Sequence, residues 1–410
     1  AYIQINYADY GAEVTPLEIL DYENLAFLGF SEPENLIIAG YAAVQSAGED
    51  QLQTIINFCN GTLGLVFGYL PYGQVDTYKP TIMAMMETVQ FGDGEPQVCR
   101  GAFEGLQPIT NSNAAQLAPV MTLGDTSTAL LSVTVSADGS QIAAGTQDGD
   151  VWRWNTVTGE ALETFTGNRD GATSLAYDDG AYNLAVGTGT GAVRLWDTTT
   201  DSDSGTLQEH NTAVESVAFY DFVIASGSLD GEVRLWDMIS LDEQVLIPNG
   251  EDPSPVTGVA FSPDGMTLAA GGGNMIRLWD VESGTVTATL ETEIADISSL
   301  SFHPDGTALI YGGTSPSMWI WDLAEDTHVL LEGSDEPIFT LAYSPDGQLI
   351  ATGDTGSLRL WDAATGDSLA VMETPSGEAV NALAFNPAGT FIATVGDAGG
   401  VVLWGAASEK

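Results

Sequence analysis

From about residue 114 to the end of the chain, short apolar runs alternate with clusters of Gly, Asp, Ser and Pro in a fixed order. One run in each set ends in tryptophan. These runs read VWRWN at Val151–Asn155, VRLWD at Val193–Asp197, VRLWD at Val233–Asp237 and IRLWD at Ile276–Asp280. They continue as MWIWD at Met318–Asp322, LRLWD at Leu358–Asp362 and VVLWG at Val401–Gly405. The steps between Trp154, Trp196, Trp236, Trp279, Trp321, Trp361 and Trp404 are 42, 40, 43, 42, 40 and 43 residues. A period of ~40–45 residues predicts seven copies of one four-stranded unit.

The fourth copy shows the elements most clearly. Strands are predicted at Val256–Ser262, Thr267–Ala270, Met275–Asp280 and Thr285–Leu290, with turns at Pro263-Asp264-Gly265 and Glu282-Ser283-Gly284. The first turn recurs as Ala137-Asp138-Gly139, Asp178-Asp179-Gly180, Pro304-Asp305-Gly306, Pro345-Asp346-Gly347 and Pro387-Ala388-Gly389. Glycine supplies the positive φ of such hairpins, and aspartate bonds its own backbone. The third copy has Tyr220-Asp221-Phe222 there instead. The strands are apolar on both faces, as expected when each unit is stacked between two others. The seventh copy ends too soon after Trp404 to have its own outer strand. LAPVMTL at Leu117–Leu123 is predicted to supply it, so that no edge is left open.

Residues 1–113 lack this repeat and are expected to form a smaller α+β accessory domain, with 107–118 as a linker. Ile3, Ile5 and Tyr7 alternate with polar residues as in a strand. Leu52, Ile55, Ile56 and Cys59 fall at helical spacing, and Asn60-Gly61 reads as a helix stop. Leu63–Leu70 and Thr81–Phe91 are further strand candidates. Asn60-Gly61-Thr62 matches a glycosylation sequon by pattern alone.

Charge narrows the function classes. The chain has 57 Asp plus Glu but 9 Lys plus Arg, for a net charge of −48. No cationic patch is available to displace counterions from phosphates, which argues against nucleic acid and against anionic lipid. No apolar run is long enough for a helical span, so membrane insertion is not expected. The first residue is Ala rather than Met, which reads as a processed chain. With two cysteines, Cys59 and Cys99, this suggests one disulfide in a secreted protein. Two buried free thiols are the alternative.

The tryptophan-ended strands resemble the WD-repeat family of seven-bladed β-propellers over residues about 114–410. The resemblance implies a mainly β fold and a rigid surface for partners. It also implies a structural hydrogen-bonded set, complete in the third blade as His210, Ser226, Asp230 and Trp236. Six residues before the tryptophan, where the set has its aspartate, blade one has Asp148. The other blades have Thr190, Gly273, Ser315, Thr355 and Ala398. Those blades are expected to rely on packing. Arg194, Arg234, Arg277 and Arg359 recur two residues before the tryptophan, where Trp152, Trp319 and Val402 stand in other blades. The expectation is that each guanidinium pairs with a nearby acid or stacks on a ring.

Catalytic signals are weak. Of the remaining histidines, His303 falls in a turn and His328 is isolated in an outer-strand segment; the N-terminal domain has none, so no His-based general base, triad or His-ligated metal is expected there. Asp148 and Asp150, and Asp201 and Asp203, are candidate Ca²⁺ ligands, although the second group lacks the distal bidentate Glu of a calcium loop. No other cofactor is expected. The leading expectation is a non-enzymatic extracellular or cell-surface subunit with protein partners. It would assemble with identical copies into a filament or surface layer through its N-terminal domain. The alternatives are a monomeric secreted module binding protein or glycan, and a propeller enzyme acting on polysaccharide through paired carboxylates.

Overall fold

A computed structural model describes residues 106–407, except 125–127, 157, 169, 209, 239–242, 249–253, 332–335 and 376. It also describes the backbone of three strands between residues 33 and 56. The chain divides into two compact units, Ala1–Gly101 and Ala102–Lys410.

In the first unit, Pro33–Ile38, Tyr41–Gly48 and Gln51–Ile56 form an antiparallel meander, with Ile38 opposite Tyr41 and Gly48 opposite Gln51. This corrects the expected helix at Leu52–Cys59. The spacing of Leu52, Ile55 and Ile56 fits a helix, but a short apolar run carries either period, and pairing with Tyr41–Gly48 decides for a strand. The described part of this unit is therefore all β, which leaves the α+β expectation unsupported. Cys59, Cys99, the sequon and the other strand candidates lie outside the described residues.

The second unit is a ring of seven blades, with sheets antiparallel throughout. In blade four, the strands Gly258–Phe261, Thr267–Gly272, Met275–Asp280 and Thr285–Glu291 lie within two residues or so of their predicted ends. In blade three, Tyr220 pairs with Val223 across the hairpin at Asp221, whose φ of 51° is left-handed. Blade one is the irregular member: its outer position is held by isolated bridges from Phe165 to Val151 and from Ala161 to Trp154.

Blade seven is built from both ends of the unit. Ala382–Phe385, Phe391–Val395 and Val401–Ala407 supply three strands, and Ala118–Leu123 pairs with the third. Leu106–Gln107 pairs with the end of that same third strand. The residues between are not a linker. Ile109, Ala114 and Leu117 are buried in a core shared with Leu349, Val380 and Trp404, and the Ile109 amide donates to the Gly389 carbonyl at 2.8 Å. The propeller unit thus starts before residue 114 because its apolar leader packs into it.

Burial between blades drives the stacking. Leu195 and Leu207 of blade two pack on Val214, Ile224 and Trp236 of blade three. Close approach needs glycine at one place in the second strand. A Cβ on Gly145 would lie 2.3 Å from the Ala172 carbonyl of the next blade, and one on Gly227 would lie 2.6 Å from the Val256 side chain. Hydroxyls in the first strands clasp neighbouring blades. Ser132 donates to the Ala172 carbonyl at 2.8 Å, Thr173 to that of Val214 and Ser298 to that of Ile338, the last two at 2.5 Å. At the closing seam the Asn381 amide donates to the Leu130 carbonyl at 3.0 Å.

Candidate functional site

Each blade offers two ends. One carries the turn between its first and second strands. The other carries the hairpin between its second and third strands, together with the connection arriving from the previous blade. The best-formed polar cluster lies at the second end of blade three. The connection brings His210, the second strand Ser226, the hairpin Asp230 and the third strand Trp236. The Trp236 indole N–H donates to Ser226 Oγ at 2.8 Å, and Ser226 Oγ lies 2.8 Å from His210 Nε2. His210 Nδ1 lies 3.2 Å from both Asp230 oxygens. The consistent assignment has Nδ1–H donating to Asp230 and Ser226 O–H donating to Nε2. Burial lowers the His210 pKa despite the opposing pull of Asp230, which keeps the ring neutral. Burial opposes the shift at Asp230, but the amides of Asn211 and Glu232, with His210, lower its pKa overall.

Ser, His and Asp in this order imitate a nucleophilic triad, but they cannot act as one here. Ser226 is fully buried, and its oxygen accepts the indole N–H. A nucleophile needs a substrate beside it, and no carbonyl can reach this one. His210, Asp230 and Glu232 are also the one group of three metal-ligand residues close together among the described residues. Both His210 nitrogens are already engaged in the chain of bonds, so the cluster forms a hydrogen-bonded strut.

Four of the six blades without the full set add an indole acceptor to packing, which corrects the expectation for those four. A buried indole N–H without an acceptor costs about 1–3 kcal/mol, and the chain finds acceptors elsewhere. In blade two Trp196 donates to Asn168 at 3.1 Å, and Asn168 in turn donates to the Gly149 carbonyl at 2.9 Å. In blade five Trp321 donates to Asp326 at 3.0 Å. Tyr311 is buried in the second strand of that blade, and burial pushes its phenol pKa up to about 12. Trp361 donates to Thr352 at 3.0 Å and Trp404 to Thr394 at 2.8 Å. Sequence reading missed Asn168 and Asp326. The signal for Asn168 was a side-chain amide in the connection at the place of the third blade's histidine.

The arginines turn inward to acids and rings. Arg194 pairs with Asp203 and lies over Trp196, 4.9 Å from the ring centre. Arg234 pairs with Glu232 at 2.5 Å, and Arg359 with Asp354 at 3.2 Å. Burial lowers the Arg277 pKa, and its guanidinium lies 3.9 Å from the Met275 sulfur. Arg153, buried in blade one, crosses to Asp201 and covers Phe165 at 3.9 Å. Asp201 and Asp203 are therefore held by two different arginines. Asp148 is exposed in the blade-one hairpin, and Asp150 closes that hairpin by backbone bonds with Thr146.

A cavity of about 220 Å³ lies at the same end of blade seven. Its one carboxylate is Glu378, so it lacks the second carboxylate that glycoside hydrolysis uses.

The fold and its strut define a seven-bladed propeller of WD type, a protein-interaction scaffold. Residues 131–297 match the family model of the nucleolar protein 10-like N-terminal domain. Residues 284–322, 325–362 and 366–405 match the WD domain G-beta repeat. WD repeat-containing protein SL1-17 of Schistosoma mansoni is 30% identical over 242 residues, covering 57% of this chain and 79% of that protein. The chain belongs to the WD-repeat family.

Anaphase-promoting complex subunit cdc20 of Dictyostelium discoideum is 31% identical over 157 residues, 37% of this chain. The U3 small nucleolar RNA-associated protein 15 homolog of Xenopus tropicalis is 22% identical over 229 residues, 55% of this chain. The chain spans 31% and 44% of these two proteins' lengths. The expected extracellular location is overturned here. The matching domain model and the Xenopus relative both carry nucleolar names.

Proposed function

We propose that the propeller is a non-enzymatic docking platform that holds a protein partner on the face made by the turns between first and second strands. The observation that carries this reading is a run of exposed apolar side chains at that turn in three successive blades. Tyr182, Phe222 and Met266 are 57%, 52% and 68% exposed. Aromatic and Met side chains displayed this way are the usual anchors of protein interfaces. Exposed Asp179, Asp221 and Asp264 sit in the same turns, while the arginines described above are engaged within the ring. The fitting partner presents an apolar patch rimmed by Lys or Arg, and like-charge repulsion disfavours direct contact with RNA. Two relatives are named for assemblies, a subunit of the anaphase-promoting complex and a U3 small nucleolar RNA-associated protein, which supports a role inside a multi-protein assembly.

Photo-crosslinking tests this. A crosslinking residue at Phe222 is expected to trap the partner, and the Met266→Asp change to abolish the product. One at Val371, an exposed outer-strand residue, serves as the control. Equal yields at the two positions would sink the reading. Products made only of the chain itself would replace it with self-assembly.

A further inference from the structure

We propose that blade seven carries a slot for one long cationic side chain, a lysine or arginine of a partner protein, with Glu378 as its counter-ion. This site lies at the other end of the blades from the turn face. The second strand, Phe391–Val395, starts beside the Pro387-Ala388-Gly389 turn and ends at the hairpin that lines the slot.

The slot arises from an eroded strut. In blade three the connection and the hairpin bring His210 against Asp230. In blade seven the same two elements are 374–380 and 396–400. The connection holds no histidine, and Ala398 stands six residues before Trp404, where blade three has Asp230. Between them lies the cavity of about 220 Å³, with Thr394 on its wall. Thr394 still accepts the Trp404 indole N–H at 2.8 Å, so the inner half of the strut persists and the outer half is space.

The lining decides the ligand chemistry. Val380, Val395 and Gly400 are buried and form the floor, while Pro375 and Ala398 are exposed and mark the mouth. Glu378 lines this mostly apolar cleft, and its Oε2 is buried and has no hydrogen-bond partner. A buried carboxylate oxygen without a donor is costly, and an entering donor cation relieves that cost. One carboxylate is too few ligands for a metal ion. An apolar ligand would bury the oxygen further, and an anion would be repelled. A lysine or arginine side chain matches both parts, with an aliphatic stem for the walls and a cationic tip for the carboxylate.

The test uses the full chain, with ¹⁵N-labelled indoles read by NMR and Trp404 assigned through Trp404→Phe. The probes are Gly-Lys-Gly and Gly-Arg-Gly peptides with blocked ends, the acetyl-lysine and citrulline counterparts, and butylamine. The cationic peptides are expected to move the Trp404 indole resonance. Glu378→Gln should weaken their binding by about tenfold or more, with a melting temperature that holds or rises. Ala398→Leu, which crowds the mouth without touching the carboxylate, should weaken it as well. Glu325→Gln, an exposed acid elsewhere on the ring, should leave it unchanged. Equal shifts from the neutral peptides would overturn the proposal, as would wild-type affinity in Glu378→Gln. Binding of butylamine as tightly as the peptides would make this a small-amine site instead. Each result stands apart from the Phe222 crosslinks, which report on the opposite face.

Discussion

In blade three, Trp236, Ser226, His210 and Asp230 form one chain of bonds from the core to the hairpin. In blade seven the matching positions offer Trp404, Thr394 and Ala398, and the chain stops at a cavity. Blade three draws its four strands from one continuous stretch, whereas blade seven borrows its outer strand from residues 118–123. Glycine lets blade three approach its neighbour at Gly227, but blade seven has Val395 at that register position. The contrast shows that the indole acceptor is the part of the strut each described network keeps. The His–Asp half can be lost, and where it is lost in blade seven the space becomes available to a ligand.

The largest test of this contrast is the seam. Deleting Ala118–Leu123 should cost more than about 5 kcal/mol and remove the cooperative unfolding transition seen by calorimetry, because it strips Val401–Gly405 of its outer partner strand. A transition that survived would show that blade seven is dispensable to the ring. Next come the struts themselves. Ser226→Ala leaves both the Trp236 N–H and His210 Nε2 without partners and should cost about 3 kcal/mol in chemical denaturation. Thr394→Val orphans Trp404 alone, beside a cavity, and should cost about 1 kcal/mol. Equal costs would mean that His210 adds nothing to blade three.

A third test uses pH. His210 has a folded pKa below its ordinary 6.5, so the unfolded chain binds its proton more readily. Its contribution is full above 6.5 and is lost as pH falls from 6.5 toward the folded value. Asp230, lowered from 3.8, contributes above 3.8 and is lost as pH falls below that. The margin in melting temperature of the native chain over His210→Gln should therefore shrink between about pH 7.5 and pH 5.5. Comparing variants removes the general easing of acidic self-repulsion, and a margin that grew on acidification would refute a neutral imidazole. The smallest effect is expected at Asp203, which is partly exposed. Asp203→Asn should change stability by about 1 kcal/mol or less in the same denaturation assay.

The blades were legible in the sequence because one indole per period fixes the phase of each sheet. The three-residue turns were legible because Asp and Gly carry their own backbone preferences. The His210 set was legible because its four residue types stand at the family's spacing. The substitutes were not. Asn168 serves Trp196 from a connection, and Asp326 serves Trp321 from a turn, so neither sits at the position where an acceptor is sought. Ser132, Thr173 and Ser298 looked like ordinary strand residues, since the carbonyls they bond belong to the next blade. The slot in blade seven is an absence of side chains, which spacing can suggest only after the surrounding walls are known. At Gln51–Ile56 the local period was ambiguous, and a pairing partner settled it.

The pairing of Ala118–Leu123 with Val401–Gly405 also sets an order of events during biosynthesis. The early strand leaves the ribosome long before its partner exists, and must wait while six blades are made between them. Contacts so distant along the chain close slowly, and an unclosed ring presents a bare sheet edge to any passing strand. The acidity of the chain then has a kinetic use. Unfinished molecules of like charge repel one another, which protects that edge until the last strand arrives.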